Sequence, residues 1–311
     1  MGLKILVTPR SFGKKDPFVF RMLEKAGLTV VRNETGNILD KESMKSLLKD
    51  CDGVIVGVDP LDAEVITTAP RLKAIAKYGV GLDNIDIEAA KSRSIKVSCT
   101  TGANSEAVAD YTMALMLAVA RKVVEIDKKC RTGNWVKIVT SDISNKTLGL
   151  IGLGVVGKLV AARAQGFSMK VIAHDIFWDA AYAEAHNITK ATPEEIYESA
   201  DIISVHLPLT PETNNYIGQA QINKMKPTVI IVNTARGGII NEDALFNALA
   251  NKRIYGAGID TFTSEPPKDA RWFKLDNIVL GSHCAASTEG AIRNMGRMAA
   301  MNLLKDLGIE I

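Results

Sequence analysis

Cysteine is scarce in this chain and is not spaced for chemistry. The four thiols, Cys51, Cys99, Cys130 and Cys284, form no CxxC pair and share no zinc-like spacing with histidine. A disulfide framework and a metal centre are therefore not expected, and free thiols suit a reducing compartment. Charge of one sign is lacking too: 38 Lys and Arg against 35 Asp and Glu leave a net +3. The densest basic run, KSRSIK at 91–96, reads as a solvated helix end, so no nucleic-acid partner is expected. No apolar run is long enough to span a bilayer, because charged or polar residues interrupt each one, so no membrane partner is expected either. The first residues pass directly into a strand pattern with no apolar leader or cleavage site, and a cytoplasmic protein is expected. Aromatics are few, and neither short-period repeats nor low-complexity segments are present.

What is present is an alternation of short β-branched runs with helical patterns, which predicts an α/β protein with parallel sheets. The chain is long enough for two domains. KILVTP, LTVVRN, CDGVIVGV, LKAIAKYG and IKVSC read as buried strands of a first small doubly wound domain. An apolar helix is predicted from about Asn104 to Val123, followed by an aperiodic stretch that suits a linker or a dimer arm. At Thr147 the strand–helix pattern restarts. One later helix is well marked by Thr192 as N-cap, Pro193 and Glu195. Another begins at Asn241 with acids in its first turn, which suits the helix dipole. The last helix, about Ser287 to Leu307, is expected to return to the first domain. The second domain is then an insertion: 1–102 with 286–311 form one body and 103–285 the other.

Gly152, Gly154 and Gly157 form GxGxxG between a strand pattern and a helix pattern. In that context the first glycine permits a tight turn, the second lets backbone approach a pyrophosphate, and the third lets helix and strand pack closely. The following helix N-terminus, with Val155 and Val156, offers unpaired N–H groups to phosphates. The next strand ends at Asp175, where a carboxylate can accept from both ribose hydroxyls and repel a 2′-phosphate. No Arg or Lys follows Asp175 in HDIFWD, which favours NAD over NADP. As a lone motif the glycines would be only a turn, and Asp175 a solvated strand-end acid.

Three residues at later strand ends carry the chemistry: Arg236 in VNTARGG, Glu265 in GIDTFTSEPP and His283 in VLGSHCAAST. A guanidinium can hold a carboxylate and polarise the adjacent carbonyl. An imidazole can donate a proton to the carbonyl oxygen, and a carboxylate beside it can keep it charged and oriented. Taken singly, each has a plainer reading as a surface cation, a Glu-Pro turn or a structural histidine. Asp260 is a candidate for the nicotinamide carboxamide, and His206 for a wall of the cofactor cleft. Lys77 and Arg10 are candidate cations for a distal anion, or else rim charges, and Tyr78 would narrow the pocket beside Lys77.

GLGVVG, HLPLT, NTARGG, GIDTFTSEPP and SHCAAST, with TPRSFG, KYGVGLDNID and GANSEAVADYTMALML earlier, resemble the D-isomer-specific 2-hydroxyacid dehydrogenases. Within that family the chain is most similar to the phosphoglycerate dehydrogenase-like branch, over nearly its whole length. The resemblance implies a flavodoxin-like substrate domain with an inserted Rossmann NAD-binding domain, and hydride transfer between NAD(H) and a 2-hydroxy or 2-keto acid. It implies that Arg236 binds the keto acid, His283 is the acid/base with Glu265 as partner, and Asp260 contacts nicotinamide. Pro208, Thr210, Thr234 and Ala235 would join the cofactor contacts. Gly79, Val80 and Gly81 would hold the substrate carboxylate, with Asn104 ordering the cleft. A homodimer is implied as well. Ser282, Cys284 and Ala285 depart from the family's usual residues around the histidine, as Thr101 does from a common proline. A glyoxylate or hydroxypyruvate reductase is the nearest alternative. A non-catalytic NAD-sensing protein, an amino-acid dehydrogenase or a hydrolase with bound NAD would be of another kind.

Overall fold

Apolar β-branched runs form parallel strands buried on both faces, the pattern of sheets covered by helices on each side. The structure is a computed structural model and describes residues 2–310. It divides into two compact units, Met1–Ser105 with Ala286–Ile311, and Glu106–Ala285.

The first unit holds a five-stranded parallel sheet: β1 (Lys4–Val7), β2 (Thr29–Arg32), β3 (Gly53–Val56), β4 (Ala74–Lys77) and β5 (Lys96–Cys99). Their order is β2-β1-β3-β4-β5, the doubly wound flavodoxin-like arrangement. One face packs Leu6, Val54, Val56 and Ile75 against Met44, Leu48, Val65 and Ile66. The other packs Ile5, Val7, Ile55 and Ala76 against Val19 and Leu23, and against Ala299, Ala300, Leu303 and Leu304 of the helix Glu289–Asp306. The last helix therefore completes the core of the first sheet.

The second unit holds seven parallel strands: β6 (Thr147–Ile151), β7 (Lys170–His174), β8 (Ile188–Lys190), β9 (Ile202–Val205), β10 (Ile230–Asn233), β11 (Gly256–Ile259) and β12 (Ile278–Leu280). Their order, β12-β11-β10-β9-β6-β7-β8, is that of a dinucleotide-binding sheet with one added strand. The fold class is therefore as the sequence predicts. β8 is an addition to the predicted strands: it is a three-residue edge strand with only Ile188 buried.

The long helix also differs from expectation. It runs Ser105–Ala120, and a second helix, Val123–Arg131, follows a break at Lys122, whose φ is 49°. The apolar pattern stops where the first helix stops. Met113, Leu115, Met116 and Val119 pack against Leu148, Leu150 and Val232 in the core of the second unit. The predicted caps are present: Thr192 and Glu195 form a reciprocal capping box behind Pro193, and the Asn241 side chain accepts from the Ala244 N–H. Among the described residues no helix is long and apolar enough to cross a membrane.

Candidate active site

In the second unit the glycine motif joins β6 to the helix Val155–Gly166. Two of its glycines are sterically required. Gly152 has φ +102°, and a Cβ there would lie 2.7 Å from the His206 carbonyl oxygen. A Cβ on Gly157 would lie 2.3 Å from the Gly152 carbonyl oxygen. A Cβ on Gly154 would meet nothing within 4 Å. This open space, at the N-cap of a twelve-residue helix, fits the approach of a diphosphate to backbone N–H groups. Asp175, just past β7, accepts from the Leu153 N–H at 2.6 Å and the Phe177 N–H at 2.8 Å, so it also fixes the glycine loop. A carboxylate has lone pairs for further donors, and these residues fit a dinucleotide.

Other predicted cofactor residues lie at the same, C-terminal edge of this sheet. His206 follows β9, and its Nε2 lies 2.9 Å from the Ser204 hydroxyl. Burial pushes its imidazole down to about 4, so it is neutral at physiological pH. Beyond it, Thr210 joins Thr213 in a tight turn that also takes in the Pro208 carbonyl. Thr234 is buried, with its hydroxyl 2.8 Å from that of Thr112 on the helix Ser105–Ala120.

Arg236 sits in the loop after β10. Asn233, which ends that strand, is a site residue that the sequence reading does not single out. Its amide nitrogen donates to the Arg236 carbonyl at 2.8 Å and its amide oxygen accepts from the Ala235 N–H at 3.0 Å. The guanidinium itself donates to the Ala235 carbonyl at 2.8 Å. A polar residue closing the apolar run TVIIVN is the available signal.

His283 and Glu265 are in contact, with Nδ1 2.7 Å from Oε2. The other Glu265 oxygen accepts from the Phe262 N–H at 3.0 Å. Desolvation pushes the Glu265 carboxyl up. The His283 hydrogen bond, the Phe262 N–H and the His283 and Arg236 charges outweigh it, and the carboxyl lies below its ordinary value.

His283 has φ 55°, a left-handed conformation uncommon outside glycine. Asp260 holds it there. Asp260, which the family resemblance assigns to the nicotinamide, is 1% exposed. Its carbonyl accepts from the His283 N–H at 2.8 Å, and its carboxylate accepts from the N–H groups of Cys284 at 3.0 Å and Ala285 at 2.9 Å. Gly281 permits this approach, since a Cβ there would lie 2.1 Å from Asp260 Oδ1.

In the first unit Gly79, Val80 and Gly81 follow β4. Gly79 has φ +136°, and its N–H and carbonyl both pair with Thr100. The Val80 and Gly81 N–H groups donate to nothing among the described residues. Lys77 is 6% exposed, so it is not a rim charge; its ammonium donates to the Gly57 carbonyl at 2.6 Å and to the Asn84 side chain. Tyr78 accepts from the Ser11 hydroxyl at 3.1 Å and donates to the Ile292 carbonyl at 3.2 Å. Asn104 immediately precedes the helix Ser105–Ala120, and Arg10 is exposed in the turn after β1. Among the described residues no group of three or more His, Cys, Asp or Glu could hold a metal ion.

Residues 113–285 match the model of a known domain, described as D-isomer specific 2-hydroxyacid dehydrogenase, NAD binding domain. The chain belongs to the D-isomer-specific 2-hydroxyacid dehydrogenase family. It is therefore an NAD-binding oxidoreductase of that family. Among curated members, a glyoxylate reductase of Korarchaeum cryptofilum is 38% identical over 92% of this chain and 91% of its own length. A D-3-phosphoglycerate dehydrogenase of Methanocaldococcus jannaschii is 39% identical over 99% of this chain but 58% of its own length. A crystal structure of a Thermus thermophilus protein superposes with TM-score 0.90 at 36% identity, covering 98% of this chain and 97% of that one.

Proposed function

We propose that this dehydrogenase reduces a short 2-keto acid to the D-2-hydroxy acid, and catalyses the reverse oxidation, with His283 as proton donor and acceptor. The observation that carries this reading is the 2.7 Å contact between His283 and an ionised Glu265 in the electrostatic range of Arg236. When bound, the nicotinamide would supply or accept hydride. His283, oriented by Glu265, donates its proton to the carbonyl oxygen through the ring nitrogen that Glu265 does not occupy. Arg236 binds the substrate carboxylate and stabilises charge growing on the carbonyl oxygen. Asp260 braces the loop of His283 and is also a candidate partner for the nicotinamide carboxamide. The Val80 and Gly81 N–H groups of the first unit are candidate donors to an anionic group of the substrate.

Gly152, Gly154 and Gly157, with Val155, Val156, Asp175, His206, Pro208, Thr210, Thr234 and Ala235, are the residues we assign to the cofactor. Residues 106–285 are then the NAD-binding body and the remainder the substrate body. The substrates named for the relatives, glyoxylate and phosphoglycerate, bracket the expected range. Free thiols suit a cytoplasmic enzyme. Trp135 and Val139, 87% and 94% exposed, suit burial against a second copy of the chain in a homodimer.

The test is NADH oxidation across glyoxylate, pyruvate, hydroxypyruvate and its phosphate ester, with NADPH as control. His283→Ala is expected to lower kcat by about 100-fold or more. Arg236→Ala is expected to raise KM as well as lower kcat. Wild-type kinetics in both variants would falsify the assignment.

A further inference from the structure

We propose that Glu242 is a positioning residue of the reaction: it fixes the loop that carries Glu265, and through it the contact of Glu265 with His283. This role rests on the dehydrogenase reading of the same site and adds to it a residue outside the trio Arg236, Glu265 and His283. Glu242 opens the helix Glu242–Ala250, directly behind the N-cap Asn241. An acid in a first helical turn has a ready explanation in the helix dipole. Glu242 is bonded outward as well. Its Oε1 accepts from the Thr263 N–H at 2.6 Å and from the Thr263 hydroxyl at 2.7 Å. Thr263 stands two positions before Glu265, and the preceding N–H, that of Phe262, donates to Glu265 Oε1 at 3.0 Å. Two adjoining backbone N–H groups therefore serve two carboxylates: one is held by Glu242, and the other holds Glu265.

The far end of the loop returns to the same helix. Trp272 is buried and packs edge-on against Phe246, with ring centroids 5.7 Å apart, and against Phe262 at 5.8 Å. Phe246 comes four residues after Glu242, so the two share one face of the helix. That face holds residue 263 by hydrogen bonds and residue 272 by packing, with Glu265 between them. A further polar tie, Asp243 to Arg271 at 2.9 Å, is of a weaker kind. Its side chains are 78% and 52% exposed, and exposed ion pairs contribute little. Glu242 differs because it accepts from a backbone N–H, so it fixes the path of the chain itself.

The loop of Arg236 rests on the same anchorage. A Cβ on Gly237 would lie 2.0 Å from the Phe262 carbonyl carbon and 2.3 Å from the Thr263 nitrogen. A Cβ on Gly238 would lie 3.3 Å from the Thr263 methyl. Thr263 is thus held between Glu242 and the backbone that follows Arg236. Releasing it loosens the surface on which both Arg236 and Glu265 are set.

The test is steady-state reduction of the keto-acid panel by variants of the full chain, with NADH affinity and urea melts measured in parallel. Glu242→Ala is expected to lower kcat by roughly 10-fold to 100-fold, the scale of a slightly misplaced catalytic group, with NADH affinity and the melt close to wild type. Glu242→Gln, whose amide oxygen still accepts from Thr263, should recover most of the loss. In a Glu265→Ala background no carboxylate is left to orient, so the further loss from Glu242→Ala should nearly vanish. Should Glu242→Ala not fold, Thr263→Val, which removes the hydroxyl donor alone, takes its place in each comparison. Wild-type kcat in Glu242→Ala overturns the proposal, as does a loss that multiplies undiminished onto Glu265→Ala. A loss of the same size in Asp243→Ala also overturns it, in favour of a general effect of acids at this helix N-terminus. If the wild-type chain reduces no keto acid, the dehydrogenase reading fails. The positioning is then read from the His283 ring nitrogens by NMR of histidine-labelled protein, assigned with His283→Gln. Their signals should move in Glu242→Ala and stay in Asp243→Ala, and signals unmoved in both overturn the role of Glu242.

Discussion

Glu265 is a carboxylate whose ionisation is favoured by the imidazole it orients, and this coupling sets a direction for pH dependence. Reduction of a keto acid consumes a proton from His283, so its rate should fall as pH rises, whereas oxidation of the hydroxy acid should rise. Glu265→Gln removes the charge and keeps the shape; it should lower kcat for reduction at a fixed pH while leaving NADH binding close to wild type. A kcat unmoved by the substitution would separate Glu265 from the proton step. Asp260 makes a different kind of contribution, through the backbone of residues 283–285. Asp260→Asn keeps an acceptor but turns one carboxylate oxygen into a donor facing N–H groups. It should lower kcat by about tenfold or more, in line with buried hydrogen bonds to charge being worth ~1.5–3 kcal/mol. Binding of NADH, measured by fluorescence titration, should change less.

At the scale of elements, the glycine turn separates fold from ligand binding. Gly157→Ala forces a Cβ to 2.3 Å from the Gly152 carbonyl, between helix and strand, and should cost roughly 1–3 kcal/mol of stability in urea melts. Gly154→Ala has open space, so it should leave the melt unchanged and weaken NADH binding instead. Equal effects of the two on stability would contradict this division. The same scale explains what was legible in the sequence. The motif, the capped helices and eleven of the twelve strands carry local signals: apolar β-branched runs, caps and glycine spacing. β8 carries none, because one buried residue in three makes no period. The break at Lys122 is also silent, since left-handed backbone at lysine leaves no mark in composition. Arg236, Glu265 and His283 were readable as an order of chemical types. The bracing of their loops by Asn233 and Asp260 was not, because it depends on where backbone N–H groups point after the chain has folded.

For the molecule as a whole, acid should be destabilising in a defined window. His206 takes a proton near pH 4 in the fold, against about 6.5 when unfolded. The unfolded chain therefore binds more protons between these values, and stability is lost as pH falls from about 6.5 to about 4. Urea midpoints measured at pH 7 and pH 5 should differ, and His206→Asn should flatten that slope. Association is tested separately: Trp135→Ser with Val139→Ser should shift the mass seen by light scattering towards a monomer. A mass independent of these residues would direct the search for an interface elsewhere.

The return of the helix Glu289–Asp306 to the first sheet has a consequence for biosynthesis. The face carrying Ile5, Val7 and Ile55 has Val19 and Leu23 against it but lacks the rest of its cover until Ala299–Leu304 have left the ribosome. The inserted body, Glu106–Ala285, is complete before then. The order of folding during translation is thus set to run against the order of the sequence. Ile5, Val7 and Ile55 must wait, partly uncovered, for Ala299–Leu304, and a nascent chain stalled near residue 285 would offer chaperones the first sheet rather than the inserted body.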